Sequence, residues 1–302
     1  MIEIISIFLS IVILLLIFSF PVPLTSINRI KYLNIYDILL VNIAIHSNVF
    51  LILSFFTLNI NVIFFIYITL SLFFFIIFRK INFIYLKYNF LTIFFFIISL
   101  YCIFINIAQS AILSWDGAAH WLYKAQNFFQ ETEYKNLINL PFNNYPHLGS
   151  YIWAFFWKNS LIQIEYFGRF FFAFLLFSCC FSLGQQLNEK FSNFEKILIS
   201  LLLTYLSTNF FLLGGYQEYF LFFIFFTFGR FFLLYQSNLK FIKTKYLMIL
   251  ILLTLNLLLW IKQEGFFLFF YFKYCFFVSY QISYIFKIYI FFVFSFFSLH
   301  FC

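Results

Sequence analysis

The chain has 302 residues, 65% of them hydrophobic and 9% charged, with a mean hydropathy of +1.01. Soluble domains keep about a quarter of their residues charged, so this composition excludes a water-solvated globular protein and makes lipid the solvent. The formal charge of +8 sits in short loops between apolar runs; this is the loop bias of membrane proteins and not a nucleic-acid-binding face.

A membrane helix needs about 20 mainly apolar residues. In chain order, the apolar runs predict spans at roughly 4–22, 38–57, 60–78, 90–107, 161–183, 197–213, 219–236, 247–261, 265–280 and 285–301. A shorter apolar piece at 151–157 is expected as a partial helix lying at the membrane interface. The expected fold is therefore all-α, a single polytopic bundle over 1–302 with about nine to ten spans and a large outer loop at 108–160. The first run has neither a basic n-region nor a small-x-small cleavage site, so an uncleaved first span is expected. Cys102, Cys179, Cys180, Cys275 and Cys302 mostly fall in apolar runs without CxxC or metal spacing, and read as small apolar residues.

The charges give the spans a direction. Arg29, Lys31, Arg79, Lys80, Lys87, Lys190, Lys196, Lys240, Lys243, Lys245 and Lys287 fall in alternate loops and make up 11 of the 18 basic residues. The positive-inside rule makes these loops cytoplasmic. The opposite loops hold only Lys124, Lys135, Lys158 and Lys262, although they include the longest loop. The N-terminus, the loop at 108–160 and the loops near 214–218 and 262–264 are then expected outside.

Three polar motifs land on that outer face. The first is Trp115-Asp116-Gly117 with His120 and Lys124, followed by Asn144-Tyr145-Pro146-His147-Leu148-Gly149. The second is Gly214-Gly215-Tyr216-Gln217-Glu218-Tyr219, and the third Trp260-Ile261-Lys262-Gln263-Glu264-Gly265. Ionisable groups near membrane depth cost a few kcal/mol each, so they line cavities or pair with one another. Acids at three span ends on one side point to one shared site.

Asp116, His120 and Lys124 are spaced i, i+4, i+8 and form one stripe on a helix. Trp115 and Trp121 beside them suit a membrane interface. Asp116 is the candidate general base or metal ligand; an interfacial helix with internal ion pairs is the plainer alternative. Tyr145 and His147 lie in a turn stiffened by Pro146, where His147 can serve structure or bind an acceptor or phosphate. Glu218 opens an apolar run and can cap a helix or face a cavity. Lys262 and Glu264 can pair locally, or Lys262 can meet a phosphate. Glu165 and Arg169, at i and i+4, are expected to satisfy each other. Arg230 and Lys273 fall inside spans and either snorkel or pair.

The series Trp115-Asp116-Gly117-Ala118 with His120 and Lys124, then Tyr145-Pro146-x-Leu148-Gly149, resembles the polytopic membrane glycosyltransferases of the GT-C type. It is most similar to bacterial relatives of the dolichyl-phosphate-mannose protein mannosyltransferases. Gly215-Tyr216-x-Glu218 and Lys262-x-Glu264-Gly265 resemble segments of bacterial members, and the likeness covers about residues 90–270. The resemblance implies a GT-C-like bundle in the bacterial inner membrane, with an active site facing the periplasm or exterior. It implies a sugar donor on a polyprenyl phosphate, a glycan, lipid or protein acceptor entering from outside, and an essential acid in the first large outer loop, here Asp116. Many relatives carry two neighbouring acids there, whereas Gly117 follows Asp116. Relatives also run past this length, so truncation at Cys302 or a minimal member is expected.

The chemistry agrees with that likeness. A carboxylate can take the proton of an acceptor hydroxyl attacking an anomeric carbon. A cation, from Lys262, Lys124 or a divalent metal ion, can stabilise the departing lipid phosphate. A single displacement inverts the anomeric centre. His120, Lys124, Tyr145, His147, Glu218, Lys262 and Glu264 are the substrate-binding candidates. The alternatives are a transporter or flippase for a lipid or small solute that uses the same acids, and an inactive fragment.

Overall fold

The computed structural model describes residues 2–22, 33–56, 59–78, 86–110, 112–131, 134–158, 163–187, 190–208, 214–236 and 244–279. The described residues are helical or in turns, without strands. The long helices are α1 (Ile2–Phe18), α2 (Ile35–Ser54), α3 (Ile60–Phe78) and α4 (Leu86–Gln109). The segment expected outside, labelled the outer segment for that expectation, follows, with a π-helical turn at Gly117–Leu122, α5 (Tyr123–Phe129), a 3-10 turn at Tyr134–Asn139 and α6 (Leu148–Lys158). The chain continues through α7 (Tyr166–Gln185), α8 (Asn193–Ser207), α9 (Glu218–Gln236), α10 (Thr244–Ile261) and α11 (Gln263–Ser279).

Five of these helices, α2, α3, α4, α7 and α9, are long and apolar enough to cross a membrane, and α1 and α10 are apolar but shorter. Eighteen residues of helix reach about 27 Å, close to the hydrocarbon thickness. This is a helical membrane protein. The expected span at 285–301 lies outside the described residues, as do Arg29, Lys31, Arg79, Lys80, Lys240, Lys243 and Lys287.

Local signals set the helix starts. Asn34 accepts from the Asp37 amide at 2.8 Å while the Asp37 carboxylate accepts from the Asn34 amide at 3.1 Å, a reciprocal cap for α2. Ser192 and Glu195 repeat the arrangement at α8. The expected span at 197–213 is cut short: α8 ends at Ser207, where Thr208 turns extended, and 209–213 lie outside the described residues. The span expected from 161 begins as helix only at Tyr166, after Gln163 takes a left-handed backbone.

α7 is the axis of the bundle, 94% buried, whereas α3 and α4 are 22% and 33% buried and leave apolar faces exposed. α7 packs on α2, α4, α6, α8 and α9. Phe170, Phe171, Phe172, Phe174 and Phe181 are all fully buried. Phe170 stacks on Phe104 of α4 at 3.9 Å between ring centroids, and Phe171 on Phe156 of α6 at 5.7 Å.

The piece at 151–157 is not the interfacial helix that its length suggests. Residues 148–156 of α6 are all buried, and α6 packs against α2, α5 and α7. Its aromatic residues lie on every side, and a helix apolar all round is a core helix. Trp153 and Phe155 are completely enclosed.

A polar cluster ties α2, α7 and α9 at the end of the bundle opposite the outer segment. Asp37 is fully buried and pairs with Arg230 at 3.0 Å. It also accepts from Ser182 Oγ at 2.6 Å and Gln186 Nε2 at 3.3 Å. Arg230 therefore pairs within the protein. Glu165 and Arg169 pair as expected, at 3.0 Å.

Candidate functional site

The outer segment folds back onto the ends of α2, α9 and α10, and the three motifs meet there. Ser114 joins the first motif to the second: its amide donates to the Gly214 carbonyl at 3.1 Å and its Oγ to the same oxygen at 2.8 Å. The Gly117 amide donates to Ser114 Oγ at 3.0 Å, which fixes the start of the π turn. Such turns interrupt helices often at functional sites.

Asp116 stands at the entrance of this turn with a side chain 34% exposed, and its Oδ1 lies 3.7 Å from His120 Nε2. His120 is buried in an aromatic enclosure, 3.8 Å from Phe142, 4.9 Å from Tyr145 and 5.1 Å from Trp115 between ring centroids. Trp115 is exposed as an interfacial indole should be, whereas Trp121 is buried.

The expected stripe of Asp116, His120 and Lys124 splits. The π turn winds more widely than an α-helix, and Lys124 points inward, fully buried, its Nζ donating to the Tyr145 carbonyl. Burial pulls its pKa down to about 8. Lys124 thus holds the Tyr145 turn, the plainer of the two readings open to it.

His147 also belongs to the scaffold. It is buried, shares a 2.8 Å hydrogen bond with Ser54 Oγ at the end of α2, and packs edge-on to Phe55 and Trp260. These contacts give the histidine the structural role expected of a rigid turn. Tyr145 lies beside the site, its ring 4.9 Å from His120 and 5.7 Å from Trp121.

The second and third motifs meet through Glu218, the first residue of α9, which pairs with Lys262 in the turn between α10 and α11. The pairing of Lys262 is with Glu218 and not with its neighbour Glu264, which is exposed. Burial draws the Lys262 pKa down, but the hydrogen bond it donates to Glu218 and the charges of Glu218, Glu264 and Asp116 outweigh it, and the net shift is upward. Gln263 Nε2 reaches back to the Asn144 carbonyl at 3.4 Å. Asp116, Glu218, Lys262 and Glu264 thus share one electrostatic neighbourhood.

Gln217 belongs to the second motif, and its residue type alone does not mark it as a site residue. It is fully buried, and neither its Oε1 nor its Nε2 has a hydrogen-bond partner among the described residues. The amide occupies the space that a Cβ at position 149 would take, so Gly149 leaves room for it. His120 Nδ1 and Trp121 Nε1 are likewise buried and unpartnered. Each such group costs about 1–3 kcal/mol. The glycine opposite is the signal in the sequence that could have drawn attention to Gln217.

A divalent ion would find Asp116 and His120 as two ligands, and among the described residues no group of three His, Cys, Asp or Glu forms a site. These residues do not fit a ready metal centre, so the positive charge at hand is that of Lys262. Compared with known proteins, the chain matches no family model, no curated protein and no solved structure.

Proposed function

We propose that the chain is a GT-C-like glycosyltransferase that transfers a sugar from a polyprenyl-phosphate donor to a glycan, lipid or protein acceptor at the outer face of a bacterial inner membrane. One observation carries the reading. The motifs of Asp116, Glu218 and Lys262, far apart in sequence, meet at one end of a bundle of apolar helices, through Ser114 on the Gly214 carbonyl, Gln263 on the Asn144 carbonyl and Lys262 on Glu218.

In this reading the Asp116 carboxylate accepts the proton of the acceptor hydroxyl. The hydroxyl oxygen forms a bond to the anomeric carbon as the bond from that carbon to the phosphate oxygen breaks. The electron pair leaves with the polyprenyl phosphate, whose growing charge Lys262 offsets. Inversion at the anomeric carbon follows from a single displacement. His120, 3.7 Å behind Asp116, positions the carboxylate. Glu218 pairs with Lys262, so the donor phosphate competes with a carboxylate for the ammonium.

The test is turnover of a polyprenyl-linked sugar extract from bacterial membranes by purified protein, read as release of polyprenyl phosphate by mass spectrometry. Release by the wild type and none by Asp116→Asn is expected. Equal release by both variants, or none by folded wild type, contradicts the proposal.

A further inference from the structure

We propose that Gln217 is the residue that reads the sugar, and that its carboxamide is uncovered when a phosphate draws Lys262 away from Glu218. The choice of a sugar as ligand rests on the glycosyltransferase reading. The role of Gln217 rests on its own geometry.

The carboxamide of Gln217 has both a donor and an acceptor unsatisfied in full burial. A fold that keeps such a group untouched by solvent or protein carries a cost, and the cost is recovered when a ligand supplies both partners. A carboxamide donates one hydrogen bond and accepts another side by side. Two neighbouring hydroxyls of a pyranose match it, one donating to Oε1 and one accepting from Nε2. The Gln217 amide lies against Gly149, and the next residue, Ser150, donates from its Oγ to the Trp121 carbonyl at 3.0 Å.

The carboxamide is enclosed, so recognition requires a movement of the segment that bears Gln217. On one side stands Gly215, whose φ of +82° is a left-handed conformation suited to glycine. On the other side Glu218 is clasped by Lys262. A lipid phosphate that takes Lys262 releases Glu218, and the turn between them is then free to turn the amide toward the sugar attached to that same phosphate. Sugar recognition follows phosphate capture.

The experiment measures binding of methyl α-glucopyranoside, methyl α-galactopyranoside and methyl α-mannopyranoside to the detergent-purified full chain by saturation-transfer NMR, with melting temperature as the control for folding. Glu218→Gln, which opens the clasp, is expected to bind at least one glycoside about threefold or more tightly than wild type. Adding Gln217→Leu is expected to weaken that binding about tenfold, the loss of two hydrogen bonds, without lowering the melting temperature, because an unpaired polar group has been removed. No glycoside binding by Glu218→Gln, binding untouched by Gln217→Leu, or a melting temperature that falls with Gln217→Leu each overturns the proposal. Polyprenyl phosphate binding, followed in parallel by native mass spectrometry, separates the two readings. If glycosides bind through Gln217 and polyprenyl phosphate does not bind at all, the lipid-linked donor is wrong and Gln217 keeps its role. If polyprenyl phosphate binds and glycosides do not, Gln217 is wrong and the donor stands.

Discussion

Glu218, the first residue of α9, and Lys262, in the turn joining α10 to α11, are clasped as an ion pair at the end of the bundle where the three polar motifs meet. The Glu218 side chain is 46% exposed, and pairs this open contribute about 0–1 kcal/mol. Glu218→Gln is therefore expected to leave the melting temperature nearly unchanged while raising polyprenyl phosphate affinity, because Lys262 no longer has a competing carboxylate. Weaker phosphate binding in this variant speaks against competition at Lys262.

Asp116 is the residue whose loss should separate chemistry from structure. Its side chain is one-third exposed and touches His120 at 3.7 Å, so Asp116→Asn is expected to melt like the wild type. Removal of a general base costs about 10²–10⁴ in rate, and polyprenyl phosphate release should fall by that factor. A variant that retains most of its rate rules out Asp116 as the base.

Lys124 gives the outer segment a pH dependence with a defined sign. Burial lowers its pKa from 10.5 to about 8 in the folded protein. Between those values the unfolded chain binds the proton that the folded chain has released, so stability rises as pH increases through that window. Below about pH 8 both states are charged and the gain is absent. The melting temperature of the wild type is expected to climb from pH 8 to pH 10 relative to Lys124→Met, which should lack this contribution. Parallel profiles for the two proteins contradict the assignment.

The buried pair of Asp37 and Arg230 ties three helices at the opposite end. Arg230→Leu leaves a buried carboxylate without its charge partner, at a cost of about 3–5 kcal/mol. Asp37→Leu with Arg230→Leu should recover most of that loss, and a double-mutant cycle on melting measures the coupling. Additive losses would place the stabilisation elsewhere.

The helices were legible because apolar runs of membrane length admit little else, as at 60–78. α6 was misread because eleven residues are too few to span a membrane, and periodicity cannot separate a buried helix from an interfacial one when its residues are aromatic on all sides. The stripe of Asp116, His120 and Lys124 assumed ordinary helical winding; the π turn, which no spacing rule reveals, carries Lys124 inward. The meeting of the three motifs was legible from the sidedness of their loops. Their partners were not: Glu218 with Lys262 and Asp37 with Arg230 join residues far apart in sequence. Gln217 escaped notice because its significance lies in what it fails to touch.

The central claim is that the outer cluster around Asp116 and Lys262 receives the phosphate of a polyprenyl lipid. Native mass spectrometry of the detergent-purified protein with added polyprenyl phosphate, compared with Lys262→Ala, tests it most directly. The account predicts a single polyprenyl phosphate adduct on the wild type that is weakened about tenfold in Lys262→Ala, the loss of one charge-assisted contact. Adducts of ordinary phospholipids alone, held equally by both proteins, would contradict it.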